Sequence, residues 1–157
     1  MKRALLVIML SLATSAAFAE SAPDFKLAGQ NGAVNLNLLR GKVVYVDFWA
    51  SWCGPCRKSF PWLNQMSSRY GKKGLIVVGI NLDKERALAD GFLKETPAQF
   101  TIAFDPTGGT ADAYQVKGMP SSFLIDKKGN IIYKHQGFRD QDTAALEKKI
   151  KAAVEGS

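Results

Sequence analysis

The only two cysteines of the chain, Cys53 and Cys56, stand three positions apart in the stretch DFWASWCGPCRKSFP. Such a pair can serve as a structural staple, as half of a metal clamp, or as a redox reagent. A disulfide stabilises mainly by closing a loop in the unfolded chain, and the effect grows with loop length. Cys53 and Cys56 enclose only Gly54 and Pro55, so a staple here contributes little. A structural zinc site needs four ligands, normally including a second Cys or His pair. The remainder of the chain offers no other cysteine and a single histidine, His135, in a different predicted strand. No metal and no other cofactor is therefore expected.

The reagent reading has positive support. The pair follows a run of strand-forming residues and opens a helical pattern. The first thiol thereby meets unsatisfied backbone N–H groups and the positive end of a helix dipole. Those groups favour the thiolate, which is the nucleophile. Pro55 suits the first helical turn, where a missing N–H is no loss. Asp47, upstream in VVYVDFWA, is the second candidate for chemistry. It lies in a strand predicted to be buried on both faces, where a carboxyl group without a partner responds by raising its pKa. Its two readings are a satisfied structural acid and a proton acceptor for Cys56 near neutral pH. His135, Phe48, Trp49 and Trp62 read as ordinary hairpin or core residues.

These residues need a scaffold, and the chain supplies a regular one. QNGA predicts a small N-terminal β-hairpin around Phe25–Leu27 and Ala33–Asn35. KVVYVDFWA reads as a central strand. A helix follows from the cysteines, with Phe60, Leu63 and Met66 at helical spacing and Gly71 and Gly74 to end it. LIVVGINLD and FTIAFDP read as strands on either side of an amphipathic helix, KERALADGFLKET, whose apolar pair is Leu88 and Phe92. A short helix in GGTADAYQVKG leads to a hairpin, SSFLID–KKGN–IIYKHQGF. A last helix carries Leu146, Ile150 and Val154 on one stripe. Strands alternating with helices imply parallel pairing, and the late hairpin adds an antiparallel edge. The expected architecture is α/β, a mixed central sheet with helices on both faces.

The first 19 residues stand apart. A basic MKR, a short apolar run and the small-residue pattern AFA predict a secretory leader cut after Ala19. Residues 20–157 then form one domain. The apolar run is shorter than the roughly 20 residues that span a bilayer, so no stable membrane insertion is expected after cleavage. The formal charge of +7 includes Lys2 and Arg3, and no acid precedes Glu20, so the mature chain carries +5. Its basic residues are scattered, without the aromatic-interleaved stripe that nucleic-acid binding uses. A periplasmic or otherwise exported monomer is the expectation.

VDFWASWCGPCRKSFP resembles the active-site segment of thioredoxin, and GMPSSFLID resembles its cis-proline segment. The extra length around KERALADGFLKETPAQFTIAFDP is a βα-type insertion. With the N-terminal hairpin it makes residues 20–155 similar to the exported TlpA/ResA-like branch of the thioredoxin superfamily. The resemblance implies a thioredoxin-like fold and thiol–disulfide exchange. It casts Cys53 as the attacking, solvent-facing thiol and Cys56 as the resolving thiol. Pro120 matches the cis-proline, and Met119 the residue whose backbone pairs with a bound client. Trp52, Gly54, Pro55 and Gly137 line the site, Pro61 kinks its helix, and Asp47 matches thioredoxin's buried aspartate. One departure is Gly79, which stands where thioredoxin has a buried lysine. The implied partners are client proteins with disulfides or thiols and a membrane thiol donor of the DsbD/CcdA type. Clients in that branch include apocytochromes c and copper-site assembly proteins. A thiol peroxidase, an oxidase or isomerase of the same fold, and a copper carrier remain alternatives.

Overall fold

The structure is a computed structural model and describes residues 19–156. The leader expected over residues 1–19, all but Ala19, lies outside the described residues.

Eight strands form one sheet: β1 (Glu20–Ser21), β2 (Lys26–Gly29), β3 (Gly32–Asn35), β4 (Val43–Trp49), β5 (Leu75–Asn81), β6 (Thr101–Phe104), β7 (Ser121–Ile125) and β8 (Asn130–Gln136). Their spatial order is β1-β8-β7-β4-β5-β6-β2-β3. Among the described residues four α-helices accompany them: α1 (Gly54–Tyr70), α2 (Arg86–Glu95), α3 (Gly109–Ala113) and α4 (Thr143–Glu155).

β4, β5 and β6 run parallel, joined through α1 and α2, because a crossover is the only way to return a chain to a parallel neighbour. β7 lies antiparallel to β4, with Phe48 opposite Ser121 and Asp47 opposite Ser122. All seven residues of β4 are buried, as its unbroken apolar run requires of a strand covered on both faces. One face of the sheet packs Tyr45, Trp49 and Val77 against α1, α2 and α4. The other packs Val44, Val46 and Phe48 against Tyr114, just past α3, and the N-terminal segment around Phe25. α1 ends at Gly71, and Gly74, at φ 102°, turns the chain into β5.

The expected mixed α/β sheet is present, and three details differ from the sequence reading. The N-terminal hairpin runs Lys26–Gly29 and Gly32–Asn35 rather than around Phe25–Leu27 and Ala33–Asn35, and its β2 pairs with β6 through Ala28 and Phe104, extending the sheet at its far edge. The two-residue β1 covers the start of β8, Glu20 opposite Ile131. On α2 the inward residues are Ala89, Phe92 and Leu93, while Leu88 is 50% exposed. Phe92 fixes that phase by packing on both Trp49 and Phe60, at ring separations of 4.7 and 4.9 Å.

Candidate active site

β4 delivers the dithiol. Its last residue, Trp49, is followed by Ala50–Ser51–Trp52, and the Cys53 amide donates to the Ala50 carbonyl at 3.1 Å to close the turn. Cys53 is the extended residue before α1, with Gly54 and Pro55 as the first helical positions. No side chain caps this helix end, and no acid sits in its first turn. The first N–H groups and the positive dipole end are thus left to act on the Cys53 sulfur. Cys53 and Cys56 are joined as a disulfide with Cα atoms 5.3 Å apart. The expectation of a solvent-facing Cys53 needs correcting for this oxidised state. Cys53 is only 4% exposed, because both sulfurs pack into the cluster formed by Trp49, Phe60 and Trp62, and Cys56 is sealed completely. Trp52, 73% exposed, and the exposed Gly54 and Pro55 form the outer surface of the segment.

Pro120 reaches the same edge from the other side. Ser121 pairs with Phe48 at the end of β4, so the preceding residue stands beside the turn that bears the cysteines. The Met119–Pro120 peptide is cis. Met119 is half-buried against the cluster that contains both thiols. The Gly137 amide donates to the Pro120 carbonyl at 2.8 Å, and Gly137 adopts φ 83°, a conformation suited to glycine. Gln136 approaches so closely that a Cβ on Gly118 would lie 2.8 Å from its amide nitrogen. The Gly118–Pro120 loop is therefore pinned from β8.

Asp47 lies below. Side chains alternate along a strand, so Asp47 shares a face with Tyr45 and Trp49, the face covered by α1. Tyr45 packs on Trp62 at 5.8 Å and Trp49 on Phe60 at 5.0 Å, which places Asp47 between two aromatic contacts to that helix. Asp47 is 3% exposed, and its Oδ2 has no hydrogen-bond partner. Burial pushes its pKa well above the ordinary carboxylate range. The neighbouring Tyr45 hydroxyl bonds to Ser122 Oγ at 2.8 Å, and burial followed by the Asp47 charge raises its pKa too. Gly79 is the cross-strand neighbour of Asp47 on β5. A Cβ there would meet Phe100 at 3.0 Å and the Trp49 indole nitrogen at 3.2 Å, so no lysine fits beside this carboxyl group.

His135 is not brought to the thiols. It sits half-buried on β8, with Nε2 3.6 Å from Asp142 Oδ2 and its ring stacked on Tyr133. Among the described residues no group of three or more His, Cys, Asp or Glu side chains could hold a metal ion. Two polar residues that sequence reading passed over do belong here. Asp83, just past β5, accepts hydrogen bonds from the Ser51 amide at 2.9 Å and the Ser51 hydroxyl at 2.8 Å. Arg57, one residue past Cys56, lies 4.7 Å from the Phe92 ring centre and pairs with Glu95 at 2.9 Å. The signal for Asp83 was an acid ending a buried apolar strand.

The Redoxin family profile matches residues 18–152. This chain belongs to the Redoxin family. The thiol-disulfide oxidoreductase ResA of Bacillus thuringiensis is 32% identical over 133 residues, covering 84% of this chain and 76% of that protein. A crystal structure assigned as the thiol:disulfide interchange protein DsbE of Chlorobium tepidum superposes with a TM-score of 0.85. It shares 55% identity, over 87% of this chain and 96% of its own. A solution structure assigned as a protein disulfide isomerase of Bacteroides thetaiotaomicron follows at 29% identity and a TM-score of 0.80, over 87% and 89%. This Redoxin-family chain is thus a thiol-disulfide oxidoreductase with a thioredoxin-like fold, and its CxxC pair is the redox-active disulfide.

Proposed function

We propose that this oxidoreductase works outside the cytoplasm as a reductase of disulfides in other exported proteins. The carrying observation is the dithiol at an uncapped helix start with only Gly54 and Pro55 between the sulfurs. The thiolate is stabilised by the helix end and by no cation between the sulfurs, and Arg57 is paired with Glu95. Strong oxidants stabilise their reduced form more than that. The leader pattern over residues 1–19 supports export.

In the reduced protein the Cys53 thiolate attacks one sulfur of a client disulfide. A mixed disulfide forms, and the first client sulfur leaves and takes up a proton. Cys56 then loses its proton to Asp47, directly or through water, and its thiolate attacks the Cys53 sulfur. The second client thiol departs, leaving the Cys53–Cys56 disulfide seen here. Two electrons have passed to the client, and its two sulfurs end as thiols with one proton from water and the one that Asp47 took from Cys56. A membrane thiol donor of the DsbD/CcdA type returns the electrons, since an exported reductase works in an oxidising compartment. Trp52 and the Met119 backbone present the client, and Pro120 faces the pair. Clients with cysteine pairs destined for haem or copper fit this chemistry.

A Cys56→Ser variant tests the reading, because it stops the sequence at the mixed disulfide. Exported proteins captured through Cys53, and released by a reductant, support it; capture of none contradicts it. The likeness to a disulfide isomerase keeps one second reading, and the redox potential separates the two. A copper carrier is less well served, because His135 lies on β8 beside Asp142 and is not brought to the thiols.

A further inference from the structure

Asp83 and Asp105 are the buried carboxylates that the exchange steps do not use, and Asp83 is the one bonded to the turn before Cys53. It is 5% exposed and sits where the chain leaves β5. Its Oδ2 accepts from the Ser51 amide at 2.9 Å and the Asn81 side-chain amide at 2.7 Å, and its Oδ1 accepts from the Ser51 hydroxyl at 2.8 Å. Its own amide donates to Asn81 Oδ1 at 3.1 Å. The Leu82 amide donates to the Trp49 carbonyl at 2.9 Å, so the segment after β5 is stitched to the segment after β4. Ser51 lies two residues before Cys53, inside the turn that sets the attacking sulfur.

The charges around it are otherwise engaged. Arg57 pairs with Glu95, Arg86 pairs with Asp90, and Lys84 is exposed. Among the described residues Asp83 has no ion-pair partner. Hydrogen bonds hold its charge in place without cancelling it. A fixed charge acts more strongly through protein than through water.

We propose that Asp83 is a positioning residue that also acts through its charge, fixing the Ser51–Cys53 turn and setting a negative charge against the Cys53 thiolate. The start of α1 favours that thiolate, and Asp83 opposes it. A less stabilised reduced form makes the couple a stronger electron donor. The inference rests on thiol–disulfide exchange at Cys53 and Cys56, and it concerns the difference between variant and parent. It therefore stands or falls separately from the parent's own direction of electron flow.

The experiment equilibrates oxidised protein with glutathione, where one protein disulfide and two glutathione thiols give one dithiol and one glutathione disulfide. Asp83→Asn removes the charge and keeps a side-chain acceptor for Ser51. It is expected to raise this equilibrium constant roughly threefold to tenfold. The thiolate absorbance of Cys53 should also persist to lower pH than in the parent. Asp126→Asn removes a charge at the opposite end of the strands, in the β7–β8 turn beside the start of β4, and is expected to leave the constant unchanged. Asp83→Ser, shorter and neutral, gives the same reading should the amide variant not fold. A folded neutral variant at Asp83 with the parental constant overturns the proposal. So does an Asp126→Asn variant that shifts the constant as far as Asp83→Asn.

Discussion

Asp47 and Asp83 are both buried at the dithiol end of the sheet, and they are kept in opposite ways. Asp83 accepts from three donors. Asp47 has an oxygen with no partner, a glycine beside it where a cation would not fit, and aromatic rings on either side. A buried carboxylate given donors is a fixed charge that orders the backbone around it. One deprived of donors binds a proton more tightly, so its ionised form is a stronger base toward a thiol than an ordinary carboxylate. Hydrogen bonding, more than burial, separates scaffold from reagent here.

The largest effect should come from the dithiol itself. Cys53→Ala is expected to abolish disulfide reduction, measured with an insulin-type substrate, because Cys56 is then the only cysteine left and is sealed from solvent. Any turnover in that variant would move the chemistry elsewhere.

Asp47→Asn should come next. Removing the proton acceptor is expected to slow single-turnover reduction at pH 7 by roughly 10²-fold, the lower end of what general bases contribute. The deficit should shrink as pH rises and Cys56 ionises unaided. Stability should move the other way. The folded-state pKa of Asp47 is raised, so folding stability is lost as pH climbs from the unfolded value, about 3.9, through the folded one. The Asn variant is spared that loss. Its melting temperature relative to the parent should be more favourable at pH 7 than at pH 3. A pH-independent difference would make Asp47 a plain structural residue.

Gly79→Ala sharpens the same contrast through packing. The added methyl meets Phe100 at 3.0 Å and Ile102 and Trp49 at 3.2 Å. Overpacking of this kind costs about 1–3 kcal/mol, read from denaturant unfolding. An unaltered midpoint would mean that the pocket beside Asp47 has slack.

Trp52→Ala should be the mildest. A residue 73% exposed contributes little to folding, so stability should stay within about 0.5 kcal/mol of the parent. KM for a protein client should rise several-fold, with the rate toward a small disulfide unchanged. Equal losses toward both substrates would place Trp52 in the chemistry rather than in client docking.

The two carboxylates also mark what the sequence could reveal. Asp47 was conspicuous because an acid inside VVYVDFWA violates the burial expected of a central strand. The WCGPC turn and the Gly-Met-Pro segment were equally conspicuous, being local patterns. Asp83 carried only a weak signal, an acid at the end of LIVVGINLD, and its role was hidden because its partner Ser51 is 32 residues away and meets it only when β4 and β5 align in parallel. The same non-locality hid the docking of β2 on β6. Leu88 misled for a different reason. Leu88 and Ala89 both lie at helical spacing from Phe92, and only the contacts of Phe92 with Trp49 and Phe60 decide which of them turns inward.

The central claim, a reductase built on Cys53 and Cys56, is tested most directly by the midpoint potential of that pair. Equilibration in glutathione buffers, read by tryptophan fluorescence, measures it. A helix-end thiolate with no cation between the two sulfurs predicts a potential below about −180 mV and nearer the roughly −270 mV of thioredoxin. A value near the roughly −120 mV of DsbA would make the protein an oxidant and contradict the account.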